Sequence, residues 1–403
     1  MVNALDERKV KNILILSKIY PADDLKYGDT PVVHYFARQW ANMGYNVLVI
    51  HNFALFPKFF YLFTSHFASF LSSKIGSVVP SVYDDSTREY EYDGITVVRI
   101  PIKKIVPHGM FPDSSVACQF MKITSVLDAK SFVPDVVVGH WWNPQLPLIA
   151  RFKSKYDCRT AMIVHDVDES KAKPEYTRYY DSVDSWGFRS IPLQKQFEKI
   201  VGSSFKSFHC ASGIPPEYIT GNSHRLFDNK LRNIVFVGQL IKRKHPASIL
   251  DAIDKLDDGD QYNVLFVGTG NESNHLKAMS SSMPNVSFTG RLPRNEVTVC
   301  MKQSDIFIMI SRAEAFGLVY LEAMGCGCIT VASKYEGMDG IIKDGVNGFL
   351  CKAGDSDELA SILKRISLMT TAELKAISDR AVETASYYTD QLAAQRYLEN
   401  IIE

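Results

Sequence analysis

Short apolar runs rich in Val, Ile and Leu alternate with longer amphipathic stretches from one end of the chain to the other. The runs read as strands buried on both faces and the stretches as the helices that cover them, the pattern of parallel sheets in an α/β protein. In the first half the pattern predicts strands at Asn12–Ser17, Asn46–His51, Thr96–Ile100, Asp135–His140 and Thr160–His165. In the second half it predicts Asn233–Gly238, Asn263–Gly268, Val286–Gly290, Asp305–Ile310 and Cys328–Ala332. The period therefore repeats twice, once per doubly wound domain. Between the halves, Gly213–Asn233 holds Pro215, Pro216 and Gly221 among polar residues and reads as a hinge. The expected division is residues 1–220, a linker at 221–232, a second domain at 233–385, and a C-terminal helix at 386–403 that packs back toward the first domain.

Length agrees with two cores, since 403 residues exceed what one ordinary domain of roughly 100–200 residues holds. Lys and Arg number 45 and Asp and Glu 45, so no global field is present to hold a nucleic acid, and any anion must be bound locally. The seven cysteines are scattered through apolar or small surroundings without CxxC pairs, as in a reduced cytoplasmic protein, and Cys326-Gly-Cys328 reads as core packing. Met1–Asn12 lacks the apolar core of a signal peptide, which adds to the expectation of a cytoplasmic chain.

Several predicted strands end in Gly or His before a polar loop: Gly238, Gly268, Gly290, His140 and His165. Ligands of open α/β sheets sit at the carboxyl ends of strands, so two such edges facing each other are expected to frame a cleft. Ser311–Gly327 carries two carboxylates, Glu314 and Glu322, on either side of Ala315-Phe316-Gly317-Leu318. A helix beginning near Phe316 offers unpaired N–H groups and a positive dipole end to a diphosphate, with Glu314 just before it and Glu322 about two turns inside.

Glu-x7-Glu enclosing Phe-Gly-Leu, followed by Glu-Ala-Met-x-Cys-Gly, resembles the signature of the retaining glycosyltransferase family 4. The resemblance is strongest over Asn233–Leu350 and weaker over the first 220 residues. It implies the GT-B fold, two Rossmann-like domains facing across a cleft, with the acceptor on the N-terminal domain and a nucleotide sugar on the C-terminal one. It also implies that Glu314 contacts donor-sugar hydroxyls, that Glu322 accepts bonds from the ribose, and that the amides of Phe316, Gly317 and Leu318 hold the diphosphate. An ionised acceptor suits a vicinal diol because charge-assisted hydrogen bonds are about twice as strong as neutral ones.

Upstream, Val237-Gly238-Gln239-Leu-Ile-Lys242-Arg243-Lys244-His245 follows a strand and opens a helix near Pro246. Lys244 stands where the family places its phosphate-binding lysine. Gln239 departs from the arginine usual at that point, and Arg243 or Lys242 is the neighbouring source of the missing charge. Gly268-Thr-Gly270 is a short turn after a strand, and Gly290-Arg291-Leu292 matches the place where the family's backbone meets the base, with Arg291 either stacking there or capping a helix.

In the acceptor half, Tyr27-Gly28-Asp29-Thr30 resembles the family's glycine-rich N-terminal loop, although Asp29 and Thr30 also suit a helix cap. By the resemblance, His165 bonds to the donor sugar or supports the reacting centre. His140 before Trp141-Trp142 is a weaker site candidate, and the tryptophans are expected to pack. Asp166-x-Asp168, Asp258-x-Asp260 and Asp355-x-Asp357 nominally spell metal pairs, but three unrelated occurrences read as chance, and no metal or other cofactor is expected.

Phe53–Lys74 is rich in aromatics, and from Pro57 the residues Phe60, Phe63, Phe67 and Phe70 recur at helical spacing. Residues 57–73 are too short and polar to span a bilayer. They read either as an extra buried helix, each Phe contributing roughly 1.5–3 kcal/mol, or as a helix lying peripherally on the inner face of a membrane beside a lipid-carried acceptor. The expected function is transfer of a sugar from a nucleoside-diphosphate donor to a saccharide or polyprenyl-linked glycan, in envelope or capsule polysaccharide synthesis. The alternatives are a catalytically silent GT-B protein that binds a nucleotide sugar as a scaffold and, more remotely, a GT-B epimerase or phosphorylase.

Overall fold

In the computed structural model, the structure describes residues 10–24, 31–58, 61, 83–104, 110–221, 227 and 231–403. Gly28 and Asp29, nearly all of the aromatic segment at 57–73, and most of the expected linker lie outside the described residues.

The first sheet is built from β1 (Asn12–Ser17), β2 (Asn46–Leu55), β3 (Arg88–Tyr92), β4 (Ile95–Lys103), β5 (Val136–His140), β6 (Arg159–Val164), β7 (Ser185–Phe188) and β8 (Ser207–His209), in the order β3-β4-β2-β1-β5-β6-β7-β8. The described pairings are parallel except β3 with β4. Ile13–Leu16 are wholly buried because β1 lies between β2 and β5, with helices on both faces of the sheet. These helices include α1 (Val32–Asn42), α2 (Asp113–Ala129), α3 (Gln145–Lys155), the single turn α4 (Pro174–Thr177) and α5 (Ile191–Val201). The antiparallel edge strand β3 was not anticipated. It hairpins into β4 through Asp93-Gly94 with φ of 48° and 78°, so Tyr92 pairs Ile95 across a two-residue turn.

The second sheet comprises β9 (Asn233–Val237), β10 (Asn263–Val267), β11 (Val286–Gly290), β12 (Ile306–Ile308), β13 (Ile329–Ser333) and β14 (Phe349–Cys351), in the order β11-β10-β9-β12-β13-β14, with parallel pairings. Its helices are α6 (Ala247–Asp254), α7 (Ser273–Met279), α8 (Arg294–Gln303), α9 (Leu318–Gly325), α10 (Ser356–Ser367) and α11 (Thr371–Ser386), followed by α12 (Asp390–Ile402). The chain winds outward from β9 through β10 to β11, then returns to β12 and winds the other way. The switch point therefore lies between β9 and β12, where the loops leaving two neighbouring strands diverge.

Contacts divide the chain into two compact units: Met1–Phe188 with Gln196–Cys210 and Ala394–Glu403, and Arg189–Lys195 with Ala211–Ala393. The composition of Gly213–Asn233 suggested a hinge, yet its first part is fixed core of the second unit. Ile214 and Tyr218 are buried, and the Ile214 N–H donates to the Tyr388 carbonyl at 2.8 Å. Within the first unit, Trp40 Nε1 donates to the Ala394 carbonyl at 2.9 Å, and Tyr397 packs edge-on against Trp40 and Phe36. Among the described residues no helix is long and apolar enough to cross a membrane.

Candidate functional site

At the switch point of the second sheet, β9 ends at Val237 and the chain turns at Gly238 with φ +153°. The neighbouring β10 ends at Val267 and the chain turns at Gly268 with φ +138°, where an added Cβ would lie 1.9 Å from the Gly238 carbonyl oxygen. The two loops are laced together, Gly238 N–H to Val267 O and Leu240 N–H to Thr269 O, both at 2.9 Å. Glycine at 268 is thus required by a close backbone approach, so the short Gly-rich turn braces the loop that carries the cations.

That loop makes a single 3-10 turn at Lys242–Lys244, then His245 takes a left-handed conformation at φ 49° and Pro246 opens α6. Lys244 thereby turns inward, its Nζ 3.5 Å from Met309 Sδ on the chain leaving β12. Gln239 and Lys242 are exposed, and neither forms an ion pair with Glu314.

From β12 the chain passes Ser311 and Ala313, the latter at φ 55°, to Glu314. The Glu314 N–H donates to Glu336 Oε2 at 2.9 Å and its carbonyl accepts from Gly337 N–H at 2.8 Å, which fixes the residue before α9 begins. Its carboxylate Oε2 lies 3.6 Å from Arg243 Nη1 and 3.7 Å from Lys244 Nζ, and accepts from Ser311 Oγ at 3.3 Å. Burial pushes the Lys244 ammonium below its ordinary range; Glu314 opposes this and Arg243 adds to it. Tyr320, buried behind this patch, donates to the Met309 carbonyl at 2.7 Å and holds Ser311 Oγ at 3.1 Å.

The helix starts at Leu318 rather than near Phe316, after Gly317 at φ +88°. A Cβ on Gly317 would meet the Tyr320 ring at 2.5 Å, so the turn needs glycine on both counts. No side chain caps this N-terminus, which follows Glu314 by four residues. The later start puts Glu322 just over one turn into α9 instead of two. Glu322 is only 7% exposed, and Arg294 Nη2 donates to its Oε1 at 2.7 Å. Burial pushes its carboxyl above the usual range, while the charge and hydrogen bond of Arg294 oppose that shift.

The structure thus brings Gly238, Arg243, Lys244, Glu314 and Gly317 into one patch, with Glu322 on the helix that leaves it. Ala315 is exposed and Phe316 is buried beneath the Arg189 guanidinium at 5.2 Å. Arg291 is exposed beyond the end of β11, and Leu292 is half-buried against the core. Sequence reasoning missed Ser311, Tyr320, Glu336 and Arg294. Arg294 lies three residues beyond Arg291 in a stretch already singled out, but nothing local marks Glu336, which reaches Glu314 across 22 positions.

In the first unit, His165 follows β6, with Nε2 3.1 Å from His140 Nδ1, and the His140 Nε2 lies 3.2 Å from the Tyr397 hydroxyl. Trp141 stacks on His165 at 4.2 Å and 13°, and Trp142 Nε1 donates to the Asp166 carbonyl at 2.7 Å, so both tryptophans pack. One aspartate of each nominal metal pair has a structural task. Asp168 accepts from Ser170 N–H and Lys171, Asp258 pairs Arg232, and Asp355 caps α10 by accepting from Glu358 N–H.

Carboxylates and cations beside an open helix N-terminus can hold an anion next to hydroxyl groups, as a sugar diphosphate requires. Residues 223–382 match the family model of the glycosyl transferases group 1. A sulfoquinovosyl transferase of Arabidopsis thaliana is 30% identical over 170 residues, 41% of this chain but only 32% of that protein. An uncharacterized glycosyltransferase of Methanocaldococcus jannaschii is 23% identical over 301 residues, 72% of this chain and 80% of the relative. Among solved structures, Anabaena HepE in complex with UDP superposes with a TM-score of 0.67 over 97% of this chain and 99% of that one, at 18% identity. The chain has the GT-B glycosyltransferase fold, and over residues 223–382 its sequence is similar to that of the glycosyl transferases group 1 family.

Proposed function

We propose that the protein transfers a sugar, with retention at the anomeric carbon, from a nucleoside-diphosphate donor to a hydroxyl of a saccharide or lipid-linked oligosaccharide. The observation that carries this is the meeting of Lys244, Arg243 and Glu314 before the uncapped N-terminus of α9. Bond cleavage at the anomeric carbon leaves negative charge on the departing diphosphate. Lys244, Arg243 and the first amides of α9 stabilise that charge, in place before the reaction begins. Glu314 orients the sugar hydroxyls, Glu322 the ribose, and His165 supports the sugar from the acceptor side. With these cations at the phosphates, the reaction proceeds without a metal. The setting is cytoplasmic synthesis of an envelope polysaccharide, the acceptor being presented at the inner face of the membrane.

Incubation with labelled UDP-, GDP- and ADP-sugars, with and without EDTA, tests this. The expected outcome is slow donor hydrolysis with one nucleotide class, unchanged by the chelator, and transfer with retained anomeric configuration when acceptor extract is added. Exposed Gln239, in the place of an arginine, favours a second reading in which the protein binds a nucleotide sugar without turning it over. Binding with no hydrolysis and no transfer in any extract supports that reading instead.

A further inference from the structure

Glu322 is a charged group in an apolar place, on a helix packed by α8, α11, β13 and the turn at Pro216–Tyr218. The face that α11 buries is Leu374, Ile377, Ser378, Ala381 and Ala385, and β13 carries no titratable residue. The turn contributes the Tyr218 phenol, which itself feels the Glu322 charge and the Cys326 thiol, and α8 contributes Arg294. Among the described residues Arg294 is the cation bonded to Glu322.

Arg294 is held in position for this. It is the first residue of α8, its guanidinium lies 5.7 Å from the Tyr218 ring centre, and the Tyr218 hydroxyl donates to its carbonyl at 3.3 Å. Its single 2.7 Å bond to Glu322 occupies Oε1, while Oε2 takes no hydrogen bond from the described residues. A carboxylate with one oxygen anchored and the other open presents a fixed acceptor to a diol. A protonated carboxyl does not, since one of its oxygens becomes a donor and the charge that strengthens the bond is gone.

We propose that Arg294 is a positioning residue for the nucleotide: it anchors Oε1 of Glu322 and keeps the carboxylate ionised, so that Oε2 receives the ribose hydroxyls. The inference rests on the reading of Glu322 as the ribose contact and extends it to a residue that the motif does not contain. Burial alone drives the Glu322 carboxyl toward its neutral form, and Arg294 is the group that opposes it.

The test is titration of the whole protein with UDP, GDP and ADP by calorimetry between pH 6 and 8.5. Wild type, Arg294→Met, Arg294→Lys and Glu322→Gln are compared for the nucleotide that wild type binds most tightly. Referring each variant to wild type at the same pH cancels the titration of the nucleotide itself. Each unit by which a required carboxylate's pKa exceeds the pH costs about tenfold in affinity. Arg294→Met is therefore expected to bind several-fold more weakly than wild type at the low end of the range, and the gap narrows as the pH rises. Arg294→Lys keeps a cation and follows wild type more closely, and Glu322→Gln is weakened at every pH. An Arg294→Met deficit that is constant across the range, or absent, overturns the proposal. If Arg294→Met does not fold, Arg294→Gln takes its place: a deficit that narrows as the pH rises supports the proposal, and one that is constant or absent overturns it. Equal binding by wild type and Glu322→Gln, or no binding of any of the three nucleotides to wild type, removes the underlying ribose reading instead.

Discussion

Lys244 is the residue at which stability and function oppose each other. Its ammonium is nearly enclosed, 3.7 Å from Glu314 without closing a short ion pair, and burial lowers its affinity for the proton. A lysine with a folded pKa below its unfolded value destabilises the fold wherever the ammonium must stay charged. That cost is present at neutral pH and disappears as the pH rises past the unfolded value of 10.5. Lys244→Met is thus expected to raise stability at pH 7 by about 1 kcal/mol, with the advantage shrinking toward pH 10, and to weaken binding of the nucleotide sugar at least tenfold. Denaturant melts at pH 7 and pH 10 check the first part and donor titration the second. The two glutamates were legible in the sequence because their spacing around Phe-Gly-Leu is confined to one turn and one helix. Arg294 and Glu336 were not, because their contacts depend on how α8 crosses α9 and how the chain after β13 returns to Glu314.

The laced loops after β9 and β10 form an element whose geometry admits little change. Gly268→Ala places a Cβ 1.9 Å from the Gly238 carbonyl oxygen in a backbone conformation that L side chains avoid, so a loss of roughly 3 kcal/mol or more is expected. Gly44→Ala, also at positive φ but with nothing within 4 Å of the added methyl, is the control and should cost less; thermal melts of both separate crowding from backbone strain. All ten strands read from apolar runs are present, with ends shifted by no more than four residues. Those missed are β7, β8 and β14, of three or four residues, too short to show a period, and β3. The signal for β3 was nevertheless there, since Asp93-Gly94 between two β-rich runs marks a tight hairpin.

For the whole molecule, the account rests on a sheet whose order reverses between β9 and β12, so that loops from two adjacent strands deliver cations and a carboxylate to one helix N-terminus. This arrangement needs only topology and a short motif, which is why the residues that meet there were legible. Around His165 the chain offers no motif of fixed spacing, and the sequence said correspondingly little about that region. The most direct measurement of the central claim is the rate of nucleoside diphosphate release from the best donor sugar by wild type, Glu314→Gln and Lys244→Met, each verified as folded by circular dichroism. Loss of a charge-stabilising group from a dry site typically costs about 100- to 1,000-fold in rate, and both variants are predicted to fall by that order with the wild-type rate above background. Release by either variant at the wild-type rate, or no release by wild type from any UDP-, GDP- or ADP-sugar, contradicts it.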